Sequence, residues 1–193
     1  MIANTDGGRP LRWPGRLADL FIVAVAAAAT VWLLNAFVVT RFRVEGESMF
    51  PALHSGDYVL VDRVAYRWSG LQRGDVIVFQ YPYGPERDFI KRVIGLPGDV
   101  VEVAGGQVRV NGVVLDEPYI PVPAAYQEQI RLGPDQLYVL GDNRNNSIDS
   151  HTWGALDSRY LIGRAVVVYW PPSSARIVRH YPQPDIPIHE DLP

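Results

Sequence analysis

The sequence predicts a mainly β domain that follows one apolar helix near the N-terminus. Two observations carry this prediction. Residues 20–39 contain no charged side chain, which is typical of a long apolar helix. Beyond residue 43 the chain becomes a series of short runs rich in β-branched and aromatic residues. Glycine and proline separate these runs, which is typical of strands joined by turns.

The composition excludes several classes of function. A chain of 193 residues has room for one domain of ordinary size with an appendage, and a net charge of −3 gives no sign of a nucleic-acid partner. Cysteine is absent, which excludes disulfides, thiolate metal sites and cysteine nucleophiles. The four histidines are scattered without the spacing of metal ligands. We therefore expect neither a metal nor a cofactor, and the sequence does not indicate the oligomeric state.

The apolar run is predicted to be a transmembrane anchor at residues 17–40, preceded by a polar leader at residues 1–16. About 20 helical residues span about 30 Å, the thickness of the hydrocarbon core of a bilayer. A cleaved signal peptide would have a shorter apolar core, of about 7–15 residues, and then a small-x-small site, which residues 38–42 do not provide. A buried core helix would show a polar face, whereas this run offers only Thr30 and Asn35.

The charges around the anchor predict its orientation. Three arginines precede the apolar run, and the positive-inside rule then leaves the leader in the cytoplasm. Arg41 and Arg43, on the far side of the run, oppose this assignment. We expect a single-pass protein of the plasma membrane with an extracytoplasmic main domain.

The main domain, residues 41–170, is predicted to contain about eight strands and little helix. The pairs Gly105-Gly106 and Asn111-Gly112 favour hairpin turns, because those turns need positive φ. Residues 171–193 are polar and rich in proline, and we expect an extended tail that lies on or off the domain. The predicted strands are residues 58–61, 76–79, 89–94, 100–103, 107–110, 113–115, 137–140 and 163–169.

A serine and a lysine are the candidate catalytic residues. Ser48 lies in the stretch Glu45–Leu53, just beyond the apolar run, and Lys91 lies in a second apolar stretch, Asp88–Ile94. A serine hydroxyl is a poor nucleophile until a base accepts its proton, so Ser48 needs a partner. The alternative is that Ser48 is an ordinary turn serine and Lys91 a solvated strand lysine.

A histidine is the first base to test for Ser48. The nucleophile-elbow pattern G-x-S-x-G is not met, because Phe50 occupies the position of the second glycine. His151, close to Asp149, is the only histidine placed to complete a Ser-His-Asp triad. This triad stays open as an alternative.

A lysine base has to be neutral to accept a proton. A free lysine has a pKa of about 10.4, and full burial can lower that pKa by about 3–5. In a strand, Phe89, Lys91 and Val93 share one face, so the amine would point into an apolar site. A strand lysine that extends its amine to solvent would show the same pattern.

Five segments resemble the successive sequence boxes of bacterial type I signal peptidases, in the order and at the spacing of that family. The resemblance extends from about residue 42 to residue 169. The segments are GESMFPAL at 46–53, GDYVLV at 56–61, RGDVIVF at 73–79, FIKRVIGLPGD at 89–99 and GDNRNNSIDS at 141–150.

The resemblance implies a membrane-bound serine endopeptidase with a compact, barrel-like β domain of the signal peptidase type. It implies a Ser/Lys dyad in which Ser48 is the nucleophile and Lys91 the general base. Ser147 would hydrogen-bond to the lysine amine and orient it. The structural residues implied are Arg92 and Asp142, as an ion pair, and Asp149.

Two positions depart from the family pattern. Some members carry a serine two positions before the nucleophile as a second oxyanion donor beside the backbone N–H of Ser48, and this chain has Gly46 there. His151 stands where an arginine partner of Asp149 is common, and we interpret it as structural.

The resemblance also implies the substrate: preproteins cut after a small-x-small motif at the surface of a lipid bilayer. An extended peptide laid along a sheet edge points alternate side chains into the enzyme, where shallow pockets would admit alanine. The backbone around Asp88 would pair with the peptide. The implied pocket residues, all of which could instead be core residues, are Phe42, Val44, Met49, Leu53, Val78, Phe89 and Ile90.

Two rival functions remain open. A self-cleaving Ser/Lys protease tethered to the membrane would cut its own chain at a small-residue-Gly bond before the serine, and no obvious Ala-Gly stands there. An inactive β domain that binds secretion components would tolerate the loss of Ser48 or Lys91.

Overall fold

The computed structural model describes residues 14–183 and 186–187, which divide into two units between Phe37 and Val38. The first unit contains helix α1, Pro14–Phe37, whose apolar side chains Leu20 and Phe21 are largely exposed. In the part of the chain that the structure describes, no helix meets both the length and the hydrophobicity required of a membrane span. Most of the predicted leader lies outside the described residues.

The second unit is built mainly of strands, which confirms the predicted fold class. Two short helices interrupt it, α2 at Ala65–Ser69 and α3 at Ser150–Trp153. The strands are β1 Val39–Arg43, β2 Tyr58–Asp62, β3 Val76–Gln80, β4 Asp88–Gly95, β5 Val100–Ala104, β6 Gln107–Val110, β7 Val113–Val114, β8 Glu128–Arg131, β9 Gln136–Leu140, β10 Leu156–Asp157, β11 Leu161–Trp170 and β12 Arg176–Ile177.

The larger sheet is antiparallel and has the strand order β1-β2-β11-β3-β4-β9-β10. Strand β11 changes partner along its length, because it pairs with β3 at Leu161–Arg164 and with β12 at Val167–Val168. Its register against β2 shifts twice, and such bulges bend and twist a strand. The sheet brings β1 and β4, which carry the two sides of the candidate site, onto one apolar cluster.

The smaller sheet has the order β7-β6-β5-β8. Both predicted hairpins are present in it, since β5 and β6 flank Gly105-Gly106 and β6 and β7 flank Asn111-Gly112. Asn111 and Gly112 have φ values of 50° and 81°, the left-handed values that such a turn requires.

The end of the apolar helix differs from the predicted end of the anchor. Helix α1 ends at Phe37 and a strand begins at Val39, whereas the anchor was predicted to extend through residue 40. The β-branched pair Val39-Thr40 pairs with Asp62 and Val61 of β2 and is therefore part of the sheet.

The described part of the predicted tail lies on the domain. Strand β12 pairs with β11, and the side chains of Val178 and Ile186 are 4% and 5% exposed. Residues 184–185 and 188–193 lie outside the described part.

Candidate active site

Ser48 lies in the loop between β1 and β2, which the surrounding structure holds on both sides. The loop is closed at its base by backbone hydrogen bonds from Val44 to Asp57 and from Gly56 to Val44. Met49 and Leu53 are 1% exposed and anchor the loop in the core. This packing fixes the backbone of the loop while Ser48 itself stays partly accessible.

Lys91 lies on β4 and its side chain reaches Ser48. The Lys91 amine donates to Ser48 Oγ over 2.7 Å and to the carbonyl of Ile90 over 2.9 Å. The residue is only 4% exposed. Burial lowers the pKa of Lys91 to about 8, against the opposing effect of the carboxylates of Asp149 and Asp142. The structure therefore joins a hydroxyl to a desolvated amine.

Ser147 lies at the same site, but the predicted hydrogen bond to the lysine amine is not present. Its Oγ is buried and has no hydrogen-bond partner. Gly141 separates it from the serine loop: a Cβ at Gly141 would lie 2.3 Å from Ser147 Oγ and 2.4 Å from the carbonyl oxygen of Ser48. Only glycine permits this approach.

Arg92 and Asp142 form the predicted ion pair. The guanidinium donates to both carboxylate oxygens over 2.8 Å, and both side chains are fully buried. Since Arg92 follows Lys91 on β4 and Asp142 follows Gly141 at the end of β9, the pair ties the lysine strand to the loop that carries Ser147. Such a bidentate geometry fixes orientation as well as distance.

Asp149 and His151 form a second pair, which is joined to the site through Gly141. Asp149 accepts from the backbone N–H of Gly141 over 2.8 Å, and its other oxygen lies 2.8 Å from His151 Nδ1. The imidazole stacks on the ring of Tyr126, with the centroids 4.1 Å apart. His151 therefore does not complete a triad, because the hydroxyl of Ser48 is bonded to Lys91 instead.

A cleft of about 780 Å³ opens at the dyad. Four of the predicted substrate-binding residues line it: Phe42, Asp88, Phe89 and Ile90. Partial burial raises the pKa of Asp88. The complete lining is Arg41, Phe42, Arg43, Glu45, Gly46, Glu47, Ser48, Glu86, Arg87, Asp88, Phe89, Ile90, Lys91, Asn145, Asn146, Ser147 and Ile148.

The other four predicted pocket residues do not line the cleft. Val44, Met49, Leu53 and Val78 are 1–2% exposed and belong to one apolar cluster. The core alternative therefore fits them better. Their contribution is indirect, because Phe42 and Ile90 of the cleft pack on this same cluster.

The cleft is bordered by two strand edges. Among the described strands, β1 pairs only with β2, so its other edge is open. The register of β4 with β9 begins at Arg92, which leaves the preceding residues of β4 beyond the paired stretch on that side. Both edges offer backbone groups to an extended ligand.

Asn143 holds the backbone around Ser48, and the sequence did not single it out. Its backbone N–H donates to the carbonyl of Ser48 over 3.0 Å, and its side chain donates to the carbonyl of Glu47 over 3.1 Å. The signal available in the sequence was the position of Asn143 within the segment that contains Ser147. Within the described residues, no group of three or more acidic or histidine side chains could hold a metal ion.

Comparison with known proteins places this geometry in context. Residues 17–170 match the profile of the family described as signal peptidase, peptidase S26. A signal peptidase I from Leptolyngbya laminosa is 44% identical over 146 residues, covering 72% of each chain. A probable signal peptidase I from Synechocystis sp. is 42% identical over 161 residues, which covers 80% of this chain and 72% of the relative.

One solved structure is also similar. The crystal structure of a signal peptidase I from Enterococcus faecalis superposes with a TM-score of 0.45 and 28% sequence identity. The match covers 49% of this chain and 95% of the other.

Proposed function

This chain belongs to the signal peptidase family, peptidase S26, whose members cleave signal peptides from preproteins, and we propose that Ser48 is its nucleophile and Lys91 its general base. The observation that carries the proposal is the 2.7 Å contact between Lys91 Nζ and Ser48 Oγ beside an open cleft. Arg92, Asp142 and Asp149 then support the dyad, and Ser147 lines the cleft beside it.

The contact allows each proton transfer in peptide cleavage to be assigned to Lys91. When the amine of Lys91 is neutral, it accepts the hydroxyl proton as Ser48 Oγ attacks the scissile carbonyl carbon. The resulting ammonium returns the proton to the nitrogen of the leaving peptide, and an ester on Ser48 remains. Water then attacks the ester: Lys91 accepts a proton from the water and gives it to Ser48 Oγ as the ester bond breaks. This step restores the serine and releases the signal peptide as a carboxylic acid, which ionises in solvent.

The oxyanion formed in each step needs a donor, and we assign this role to the backbone N–H of Ser48. Loss of one such donor typically costs about 10²–10³-fold in rate. The N–H of Gly46 donates to Ser55 Oγ over 3.2 Å, so it holds the serine loop in place. The second donor found in some relatives has no counterpart at Gly46, which lacks a side chain.

The borders of the cleft suggest how a signal peptide is held. An extended segment lying between β1 and the start of β4 can exchange backbone hydrogen bonds with both edges and direct alternate side chains toward Phe42 and Ile90. Because the buried cluster closes the floor behind these two residues, the pockets are shallow. A small side chain fits there without moving the core, which accounts for a small-x-small preference.

We also propose that the apolar part of helix α1, residues 20–37, anchors the enzyme in a bilayer, with the leader in the cytoplasm and the β domain outside it. The support is the sequence: an uncharged run of this length follows three arginines. The anchor predicts that alkaline carbonate leaves the full-length protein in the membrane pellet. Release of the protein into the supernatant would argue against it.

The proposed function predicts site-specific cleavage of a preprotein by the purified protein in detergent. The new N-terminus, read by sequencing, should follow a small-x-small motif, and Ser48→Ala should yield no new N-terminus. Cleavage by Ser48→Ala at the same bond would show that the nucleophile lies elsewhere. Wild-type protein that leaves several preproteins intact would favour the inactive binding domain.

The dyad also predicts how the cleavage rate depends on pH. Only the neutral amine can accept the serine proton, so kcat/KM should rise with pH and reach half of its plateau near pH 8, the pKa to which burial lowers Lys91. Rates of preprotein cleavage between about pH 6 and pH 10 measure this limb. A midpoint near the ordinary histidine pKa of about 6.5 would point to an imidazole base instead.

A further inference from the structure

The last described segment of the chain contacts both sides of the dyad, and we propose that it positions Ser48 against Lys91. We refer to residues 171–183 and 186–187 as the C-terminal clasp. The clasp begins where the match to the signal peptidase family ends, at residue 170. The inference rests on the proposed dyad, because it concerns how that dyad is held together.

On the serine side, the clasp acts through Arg176 of β12. Its guanidinium donates to the carbonyl of Ala52 over 2.8 Å and to the carboxylate of Asp57 over 2.7 Å. Asp57 is 3% exposed and also accepts from the backbone N–H of His54. One arginine therefore fixes the part of the loop that immediately follows Ser48.

On the lysine side, the clasp packs against Arg92, the neighbour of Lys91. Arg92 donates to the carbonyl of Arg179 over 3.2 Å, and its guanidinium lies over the rings of Tyr119 and Tyr181, 4.0 Å and 5.3 Å from their centroids. The ring of Tyr181 therefore packs on the guanidinium of Arg92, which is paired with Asp142.

The clasp also reaches strand β3, beside the lysine strand. The backbone N–H of Val76, which pairs with Arg92 in the sheet, donates to His180 Nδ1 over 3.2 Å. At Gly74 the approach is so close that a Cβ would lie 1.9 Å from the carbonyl oxygen of Tyr181. Any side chain at Gly74 would push the clasp away from the sheet.

Between these two sides the clasp is seated in the core. Val178 is 4% exposed and belongs to the apolar cluster that contains Met49 and Ile90, the neighbours of Ser48 and Lys91. Six residues, from Arg176 to Tyr181, thus connect the serine loop to the lysine strand. Because a displacement of about 1 Å in a catalytic group can cost about 10²-fold in rate, this connection bears directly on turnover.

The test replaces Arg176 in the full-length protein and measures preprotein cleavage. For Arg176→Ala we expect kcat to fall at least about 10-fold, with KM changed by less than about twofold. The pH midpoint of the activity should also move above that of the wild type, because a loosened serine loop admits water to Lys91 and weakens the burial that lowers its pKa. A purely structural role would leave the midpoint of the folded enzyme in place.

Three further variants make the result specific. Arg176→Lys, which keeps the charge, should recover part of the lost kcat. Arg159→Ala is the matched control, because Arg159 is paired with Asp157 at 3.2 Å and its side chain is 72% exposed. Should Arg176→Ala prove unfolded by circular dichroism, Tyr181→Leu should show the same pH shift, whereas Tyr181→Phe, which keeps the ring, should not.

The possible outcomes distinguish a failure of the role proposed for the clasp from a failure of the proposed dyad. Suppose that Ser48→Ala is inactive while a folded Arg176→Ala keeps the wild-type kcat and pH midpoint. The positioning role proposed for the clasp is then wrong, and the Ser/Lys dyad stands. If Ser48→Ala retains activity, both proposals are wrong. If Arg159→Ala loses as much kcat as Arg176→Ala, the positioning role proposed for the clasp is also wrong.

Discussion

Replacing Lys91 by arginine should abolish cleavage as completely as replacing it by methionine. Each variant should lose at least about 10³-fold in kcat/KM, since a positioned general base contributes about 10²–10⁴-fold and the serine is inert without it. Methionine removes the basic nitrogen, whereas arginine keeps the positive charge but does not release its proton in a protein. The comparison therefore separates a base from a fixed cation.

Single-turnover cleavage of a preprotein measures these losses. Arg109→Met serves as a control, since Arg109 lies on β6 outside the cleft and is 3.9 Å from Glu102. This control should cleave at the wild-type rate. Substantial activity in Lys91→Arg would mean that Lys91 acts through its charge, and a base would have to be sought elsewhere.

Removal of one partner from the buried pair of Arg92 and Asp142 should strongly destabilise the domain. Asp142→Ala leaves a guanidinium that is fully buried without its carboxylate, and such losses cost about 3–5 kcal/mol in the free energy of unfolding. Urea unfolding followed by circular dichroism measures this change. The same removal should lower activity, because the pair connects the lysine strand to the Ser147 loop.

A double variant tests whether the loss comes from the uncompensated charge. Arg92→Met with Asp142→Leu replaces both charges by apolar groups and should recover part of the stability lost in Asp142→Ala. The exposed pair of Arg159 and Asp157 gives the reference, since breaking it should cost less than about 1 kcal/mol. A cost this small for Asp142→Ala would mean that the buried pair does not brace the site.

The sequence predicted those elements whose signals are local. The two hairpins follow from glycine and asparagine at positions that need positive φ, and the strands near Val76 and Lys91 follow from continuous apolar runs. Strand β8, Glu128–Arg131, was missed because its side chains are mostly polar. Its backbone pairing with β5 stabilises it, and a pattern of side chains does not record such a partner.

The candidate site was predicted in part for a similar reason. The approach of Ser48 to Lys91 was expected from the resemblance and is present as a contact. Whether an apolar side chain lines a pocket or supports it from behind depends on the curvature of the sheet, so Phe42 and Val44 could not be distinguished from the sequence. The contacts of Arg176 join residues more than a hundred positions apart, and no local sequence pattern predicts such contacts.

The most direct test of the lysine base is an NMR titration of Lys91 itself. Lys91 is the only lysine in the chain, so protein grown with [ε-¹³C]lysine gives one side-chain signal and needs no assignment. The proposed base predicts that this signal titrates with a midpoint near pH 8, because burial lowers the pKa of Lys91. A midpoint at the ordinary lysine value of about 10.4 would leave only about one amine in two thousand neutral at pH 7, against about one in ten for a midpoint near 8, and would contradict Lys91 as the base that activates Ser48.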